Sequence, residues 1–268
     1  MTTEPTFVLA PGGYLGGWVW EEVADRLRAA GARAHPVTFT GMGDRRHLAG
    51  PAVDLETHVE DLVQILDHLE GERVVLVGHC YGIFPAVGAA DRRGARVERV
   101  VYLDAAFPLD GYSVLELLDE REPDSPRQAV MRQHTVEAEE GWRIPAPTAE
   151  RWRGTATSDL DEAQLAWMVG RAAPQPLGTF TSRLHLKGAA AEIPLTGVFC
   201  TRNGTSTAVA AELAATGDPR FAALARPTSA FFDLDTAHFP MVSAPETLTE
   251  VLLRAGRGEG ERLAEGVP

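Results

Sequence analysis

The sequence predicts an α/β fold: a mostly parallel, twisted sheet flanked by helices, with a helical cap inserted between two of its strands. Three observations predict it. Short apolar runs alternate with stretches of helical spacing along most of the 268 residues, the signature of a parallel sheet with crossover helices. The Val-rich run from Val74 to Val77 is bounded by Gly78 and followed by an amphipathic stretch, Ile83 to Ala90, as a buried strand entering a helix would be. Residues 111–190 break this rhythm, being charged, interrupted by proline and without a convincing strand.

Taken in order, Thr6 to Ala10 is a first strand, broken by the glycine-rich run Pro11-Gly12-Gly13-Tyr14-Leu15-Gly16-Gly17. Trp18 to Ala30 has helical spacing and stops at Gly31. Ala34 to Phe39 is a second strand, ending in the turn Gly41-Met42-Gly43-Asp44. Leu55, Val59, Leu62, Val63, Leu66 and Leu69 mark a long amphipathic helix, started by Asp54 and closed by Gly71. The strand at Val74 follows, then Val97 to Leu103 as the next, ending at Asp104. The sheet resumes with Leu195 to Thr201, a helix over Thr207 to Ala215, a last strand from Ser229 to Leu234 and a closing helix from Pro245 to Arg254. The expected organisation is a core of 1–110 and 191–255, a helical cap of 111–190 and a frayed tail of 256–268.

Composition limits the function. A net charge of −13 argues against nucleic-acid binding and against a basic membrane-surface patch. No apolar run approaches transmembrane length. Cys80 and Cys200 lie far apart, with no CxxC and no Cys/His cluster at metal spacing, so neither a metal nor a disulfide framework is expected. The opening Met1-Thr2-Thr3-Glu4-Pro5 lacks a basic region before an apolar one, so no signal peptide is expected, and the protein reads as cytoplasmic with reduced thiols.

The chemistry is expected at the carboxyl ends of the strands. Gly78-His79-Cys80-Tyr81-Gly82 has the spacing of a nucleophile elbow, G-x-S-x-G, with cysteine in the serine position. The turn is tight enough that side chains at 78 and 82 would clash, and the helix behind it favours a thiolate. The glycine-rich loop at 11–17 does not give G-x-G-x-x-G, which argues against a dinucleotide. Cys80, Asp104 and His238 each fall just past a strand, in the order nucleophile, acid, base. That order points to a Cys-His-Asp site.

These residues resemble the α/β-hydrolase superfamily over nearly the whole chain. Pro11 to Trp18, Gly41 to Asp44, the elbow and Ala237-His238 look more narrowly like the branch of plant methylesterases and hydroxynitrile lyases, with discrete polyketide-releasing thioesterases alongside. The resemblance implies the α/β-hydrolase fold, no cofactor, and an oxyanion hole from the backbone N–H groups of Gly13 and Tyr81. Most relatives carry the triad acid where this chain has Asn203; the resemblance to the thioesterases moves it to Asp104, ahead of Asn203, Asp233 and Asp235. Tyr14, Phe107, Trp142, Trp152 and Trp167 are the candidate lining of an apolar acyl pocket.

The expected activity is cysteine-dependent acyl transfer: a thioesterase, esterase or lactone-forming or lactone-opening enzyme. The Ala/Arg/Gly-rich composition suits a high-GC bacterium, and the resemblance to polyketide-releasing thioesterases implies secondary metabolism such as polyketide biosynthesis. The expected partner is a small-molecule acyl substrate, free or delivered on an acyl carrier protein, with the chain a monomer or homodimer. The competing readings are a lyase or cyclase using the same pocket without an acyl-enzyme, and a non-catalytic small-molecule receptor.

Overall fold

The computed structural model describes residues 5–69, 73–121 and 126–263. Six parallel strands form the main sheet in the order β2-β1-β3-β4-β7-β8. They are β1 (Thr6–Ala10), β2 (Arg33–Pro36), β3 (Val74–His79), β4 (Val97–Leu103), β7 (Leu195–Cys200) and β8 (Ala230–Leu234). Every residue of β1, β3 and β7 is buried, which is why these strands read as continuous apolar runs rather than alternating ones. Within β3, Val74 and Leu76 enter one hydrophobic cluster and Val75 and Val77 another. The strand is therefore sandwiched between two helical layers.

On the first face lie α2 (Leu55–His68) and α3 (Ile83–Arg92). Asp54 starts α2 with a capping box, its side chain accepting from the Thr57 N–H at 2.9 Å while Thr57 reaches back to the Asp54 N–H. Gly71, expected to close this helix, lies outside the described residues; α2 ends at His68. Gly88 lets α3 approach it, since a Cβ there would lie 2.7 Å from Val59 Cγ2. The second face carries α1 (Glu21–Ala29) and α11 (Pro245–Gly256). The first turn of the expected Trp18–Ala30 helix is 3₁₀, over Gly17–Trp20.

Between β4 and β7 run α4 (Val114–Arg121), α5 (Pro126–Val136), α6 (Ala149–Trp152), α7 (Glu162–Arg171) and α8 (Gly178–Thr181). This segment also holds a pair of two-residue antiparallel strands, β5 (Arg143–Ile144) and β6 (Gln175–Pro176). A two-residue strand carries no periodicity to read, which is why this pair was not expected. Between β7 and β8 lies α9 (Thr207–Ala215), and α10 (Pro240–Ser243) precedes α11.

The segment after α11 is tied down rather than frayed as far as residue 263. Glu261 and Phe231 exchange backbone hydrogen bonds of 2.8 and 2.9 Å, and the Arg262 guanidinium donates to the carbonyls of Ser229 and Gly258. Edge strand β8 supplies the unpaired groups that capture it. Among the described residues no helix is long and apolar enough to cross a membrane.

Candidate active site

The turn after β3 is as tight as its glycines imply. Cys80 has φ +51°, left-handed backbone that a β-substituted residue adopts only when held there. A Cβ on Gly78 would lie 2.5 Å from the Ile83 Cα, and one on Gly82 would lie 2.4 Å from the Pro11 carbonyl oxygen. Tyr14 and Asp104 also have positive φ, +66° and +42°. Three of the four non-glycine residues with positive φ among those described thus line one cavity. Backbone strain concentrated in this way is typical of functional sites.

That cavity, of about 1430 Å³, is lined by Cys80, Asp104 and His238 together with Gly12, Gly13 and Tyr81. His238 Nδ1 lies 2.5 Å from Asp104 Oδ2, and the other face of the imidazole is hydrogen-bonded to Cys80. Burial disfavours charge on His238, but the Cys80 and Asp104 charges and their hydrogen bonds outweigh it and raise the pKa to about 10. Burial likewise pushes the Asp104 pKa up, yet hydrogen bonds from His238, Thr205 and Asn203 and the charge on His238 hold it down to about 2. The Asp104 carboxylate is ionised at neutral pH and favours the protonated imidazole.

Asn203 stands beside the Asp104 carboxylate and within reach of the same imidazole nitrogen. Its Nδ2 donates to Asp104 Oδ2 at 2.7 Å and lies 3.3 Å from His238 Nδ1. Thr205 Oγ1 donates to Asp104 Oδ1 at 2.5 Å, and the Cys200 N–H donates to the same oxygen at 3.3 Å. Asp233 is occupied elsewhere, accepting from the N–H and hydroxyl of Thr207. Asp235 forms an exposed bidentate pair with Arg202. Cys200 is buried, and burial together with the nearby Asp104 charge pushes its thiol pKa up, the environment of an inert cysteine.

The loops around Cys80 are braced by side chains. Burial pushes the His58 pKa down to about 4, so the ring is neutral; it donates from Nε2 to the Thr40 carbonyl at 2.8 Å and accepts the Tyr81 hydroxyl at Nδ1 at 2.8 Å. This ties the elbow to α2. The Gly17 N–H donates to Thr38 Oγ1 at 2.8 Å, which donates to Asp44 at 2.7 Å. A Cβ on Gly43 would lie 2.8 Å from the Gly16 Cα, so the two glycine-rich loops pack backbone to backbone.

Three supporting residues carry no motif that sequence reasoning could use. Gln175 Oε1 accepts the Tyr14 N–H at 2.8 Å, while its amide donates to Thr179 Oγ1 at 2.6 Å. His79 is fully buried; burial, then the His238 charge, lowers its pKa to about 3. The neutral ring donates from Nε2 to the His238 carbonyl at 2.8 Å, fixing the backbone that carries the imidazole. Phe180 packs edge-on against both Tyr14 and Tyr81.

Of the five expected pocket aromatics, Tyr14, Phe107 and Trp152 line the cavity. Trp142 and Trp167 do not. Trp167 packs edge-on against Trp18 at 5.0 Å with Arg171 over its face, and Trp142 carries Arg143 over its ring. Phe84, Phe180, Phe199, Phe221 and Phe239 supply the aromatic lining instead.

Comparison with known proteins agrees with this architecture. The model of the alpha/beta hydrolase family matches residues 7–251. A carbendazim hydrolyzing esterase from a Nocardioides species is 34% identical over 183 residues, 68% of this chain and 74% of that protein. A putative chloroplastic methylesterase of Arabidopsis thaliana is 28% identical over 144 residues, 53% of this chain but 32% of that longer protein. Among solved structures, an extracellular alpha/beta-hydrolase from a Paenibacillus species superposes with a TM-score of 0.77 at 22% identity, covering 94% of this chain and 99% of that one. At that identity the last comparison speaks to fold alone.

Proposed function

Because the chain belongs to the alpha/beta hydrolase family, we propose that it is an ester-bond hydrolase working by cysteine-dependent acyl transfer, on an ester or thioester. The observation that carries the cysteine reading is His238 held between Asp104 and Cys80. An imidazolium hydrogen-bonded to a thiol favours the thiolate, the nucleophilic form.

In this reading the Cys80 sulfur adds to the substrate carbonyl. The resulting oxyanion is received by the backbone N–H groups of Tyr81 and Gly13, both of which line the cavity. Collapse breaks the bond to the leaving alcohol or thiol, which takes the proton from His238 Nε2. The neutral imidazole then accepts a proton from water as its oxygen attacks the acyl-cysteine, and the second collapse releases the acid and restores the thiolate. Asp104 keeps the imidazole in one tautomer and stabilises its charged form. Losing one oxyanion donor typically costs on the order of a hundredfold in rate.

The test is intact-protein mass spectrometry after incubation with short and long acyl thioesters and a simple aryl ester, with Cys80→Ala and Cys80→Ser alongside. The expected result is an acyl adduct on the wild type that Cys80→Ala lacks, with Cys80→Ser folded but at most weakly active. Turnover in Cys80→Ala equal to wild type would point to a lyase or cyclase step with no acyl-enzyme.

A further inference from the structure

The cavity is larger than one acyl chain requires and has two apolar ends. Its 1430 Å³ exceeds the roughly 300–1,000 Å³ of most small-molecule sites. One end is built by Val114, Leu117 and Leu118 of α4 with Met131 of α5. The other is built by Phe107, Phe199, Ala210, Leu213 and Phe221. The two ends belong to separate hydrophobic clusters: the first to the cluster of α2 and α3, the second to one formed by β7, α9 and the segment leading into β8.

Sheet order places the reacting groups between them. α4 packs on α8, which packs on α2, the helix leading into β3; α9 packs on β8, the far edge strand. Cys80 follows β3 and Asp104 follows β4, the two strands in the middle of the sheet. Each cation of the lining is already neutralised. Arg151 pairs with Glu137 at 2.7 Å and Arg220 with Asp218 at 2.5 Å, and the Asp104 carboxylate is taken by His238, Asn203 and Thr205.

Resting on the acyl-transfer reading, we propose that the substrate is an uncharged, two-armed ester or thioester. Its reacting carbonyl lies near the middle of the molecule, with a bulky apolar acyl part at one end of the cavity and a bulky apolar leaving group at the other. A methyl ester would leave one end empty. Burial of methylenes on both sides supplies binding that a one-armed isomer of equal hydrophobicity cannot collect in full. The α9 end reaches the surface at Val209, an exposed apolar side chain that also lines the cavity, so a long arm has room to extend there.

Three thioester isomers of equal carbon number separate the possibilities: S-octyl octanethioate, S-methyl pentadecanethioate and S-tetradecyl ethanethioate, each solubilised below its aggregation limit. The expected result is a kcat/KM for the mid-chain isomer about tenfold or more above either end-chain isomer. Val209→Trp, which narrows the α9 end, should lower that preference. Val136→Trp, at a largely exposed position of α5 outside the cavity, should leave it unchanged. An acyl-Cys80 adduct with equal or reversed preference overturns the two-armed substrate alone. No adduct with any of the three overturns it together with acyl transfer.

Discussion

Asn203 donates its side-chain amide to the Asp104 carboxylate at 2.7 Å, on the same oxygen that receives His238 Nδ1 at 2.5 Å. The carboxylate and the amide are thus arranged as acid and support for the acid, and the support lowers the carboxylate's pKa by the hydrogen bond it gives.

Removing the charge should therefore cost more than removing the support. Asp104→Asn should lower kcat by on the order of a hundredfold or more, since an amide cannot stabilise the imidazolium. Asn203→Ala should cost less than about tenfold, a neutral hydrogen bond's share. Steady-state kinetics on one thioester decides, and the reverse ranking would falsify the assignment of Asp104.

Stability should carry the same signature in pH. A carboxylate held at about 2 against an unfolded value of ~3.9 stabilises the fold fully above about pH 4. That contribution is lost as pH falls through about 2, because the unfolded chain takes up its proton first. The urea-melt difference between wild type and Asp104→Asn should shrink as pH falls from 5 to 2.5; a difference flat over that range contradicts it.

His238 owes much of its raised pKa of about 10 to Cys80. In Cys80→Ala the anionic partner disappears and burial still opposes the charge, so the imidazole should titrate at lower pH than in the wild type. Nitrogen-15 NMR of the ring across pH 5 to 10 reads this directly. An unchanged midpoint means the thiolate contributes nothing.

Gly82→Ala should destabilise by ~3 kcal/mol or more, because backbone oxygens that cannot rotate away stand 2.4 and 2.8 Å from the new Cβ. The same substitution at Gly50, where nothing lies within 4 Å, is the matched control. Thermal unfolding of the pair is sufficient, and equal midpoints would refute the steric account of the elbow.

Gln175→Ala removes the acceptor for the Tyr14 N–H. A buried N–H left without a partner costs about 1–3 kcal/mol, and the neighbouring Gly13 N–H loses its fixed aim. The expected change is a fall in kcat of about tenfold with KM little altered. A change confined to KM would assign Gln175 to substrate binding.

The core strands, and the meeting of Cys80, Asp104 and His238 at their ends, were legible for one reason. Buried parallel strands are written as unbroken apolar runs, and Cys80, Asp104 and His238 each sit where such a run stops. Thr207–Ala215 and the Asp54 cap were equally plain, since their signals are local. Trp142 and Trp167 were misplaced because an indole in a helical cap looks the same in sequence whether it faces a cavity or another ring. Gln175 was invisible for a different reason: its partner is 161 residues away, and no periodicity links a glutamine to a backbone N–H at that distance. The captured tail follows from the open edge of β8, a property of the assembled sheet.

Both backbone groups of Tyr14 are held by the segment between β4 and β7: its N–H by Gln175, its carbonyl oxygen by the Ala173 N–H at 2.9 Å. The cap and the glycine-rich loop are for that reason mechanically coupled in this chain. A graft that brought in another cap to change the substrate would also have to bring an acceptor at position 175 and a donor at 173. The stretch from Ala173 to Gln175 is thus the point at which the cap grips the glycine-rich loop after β1.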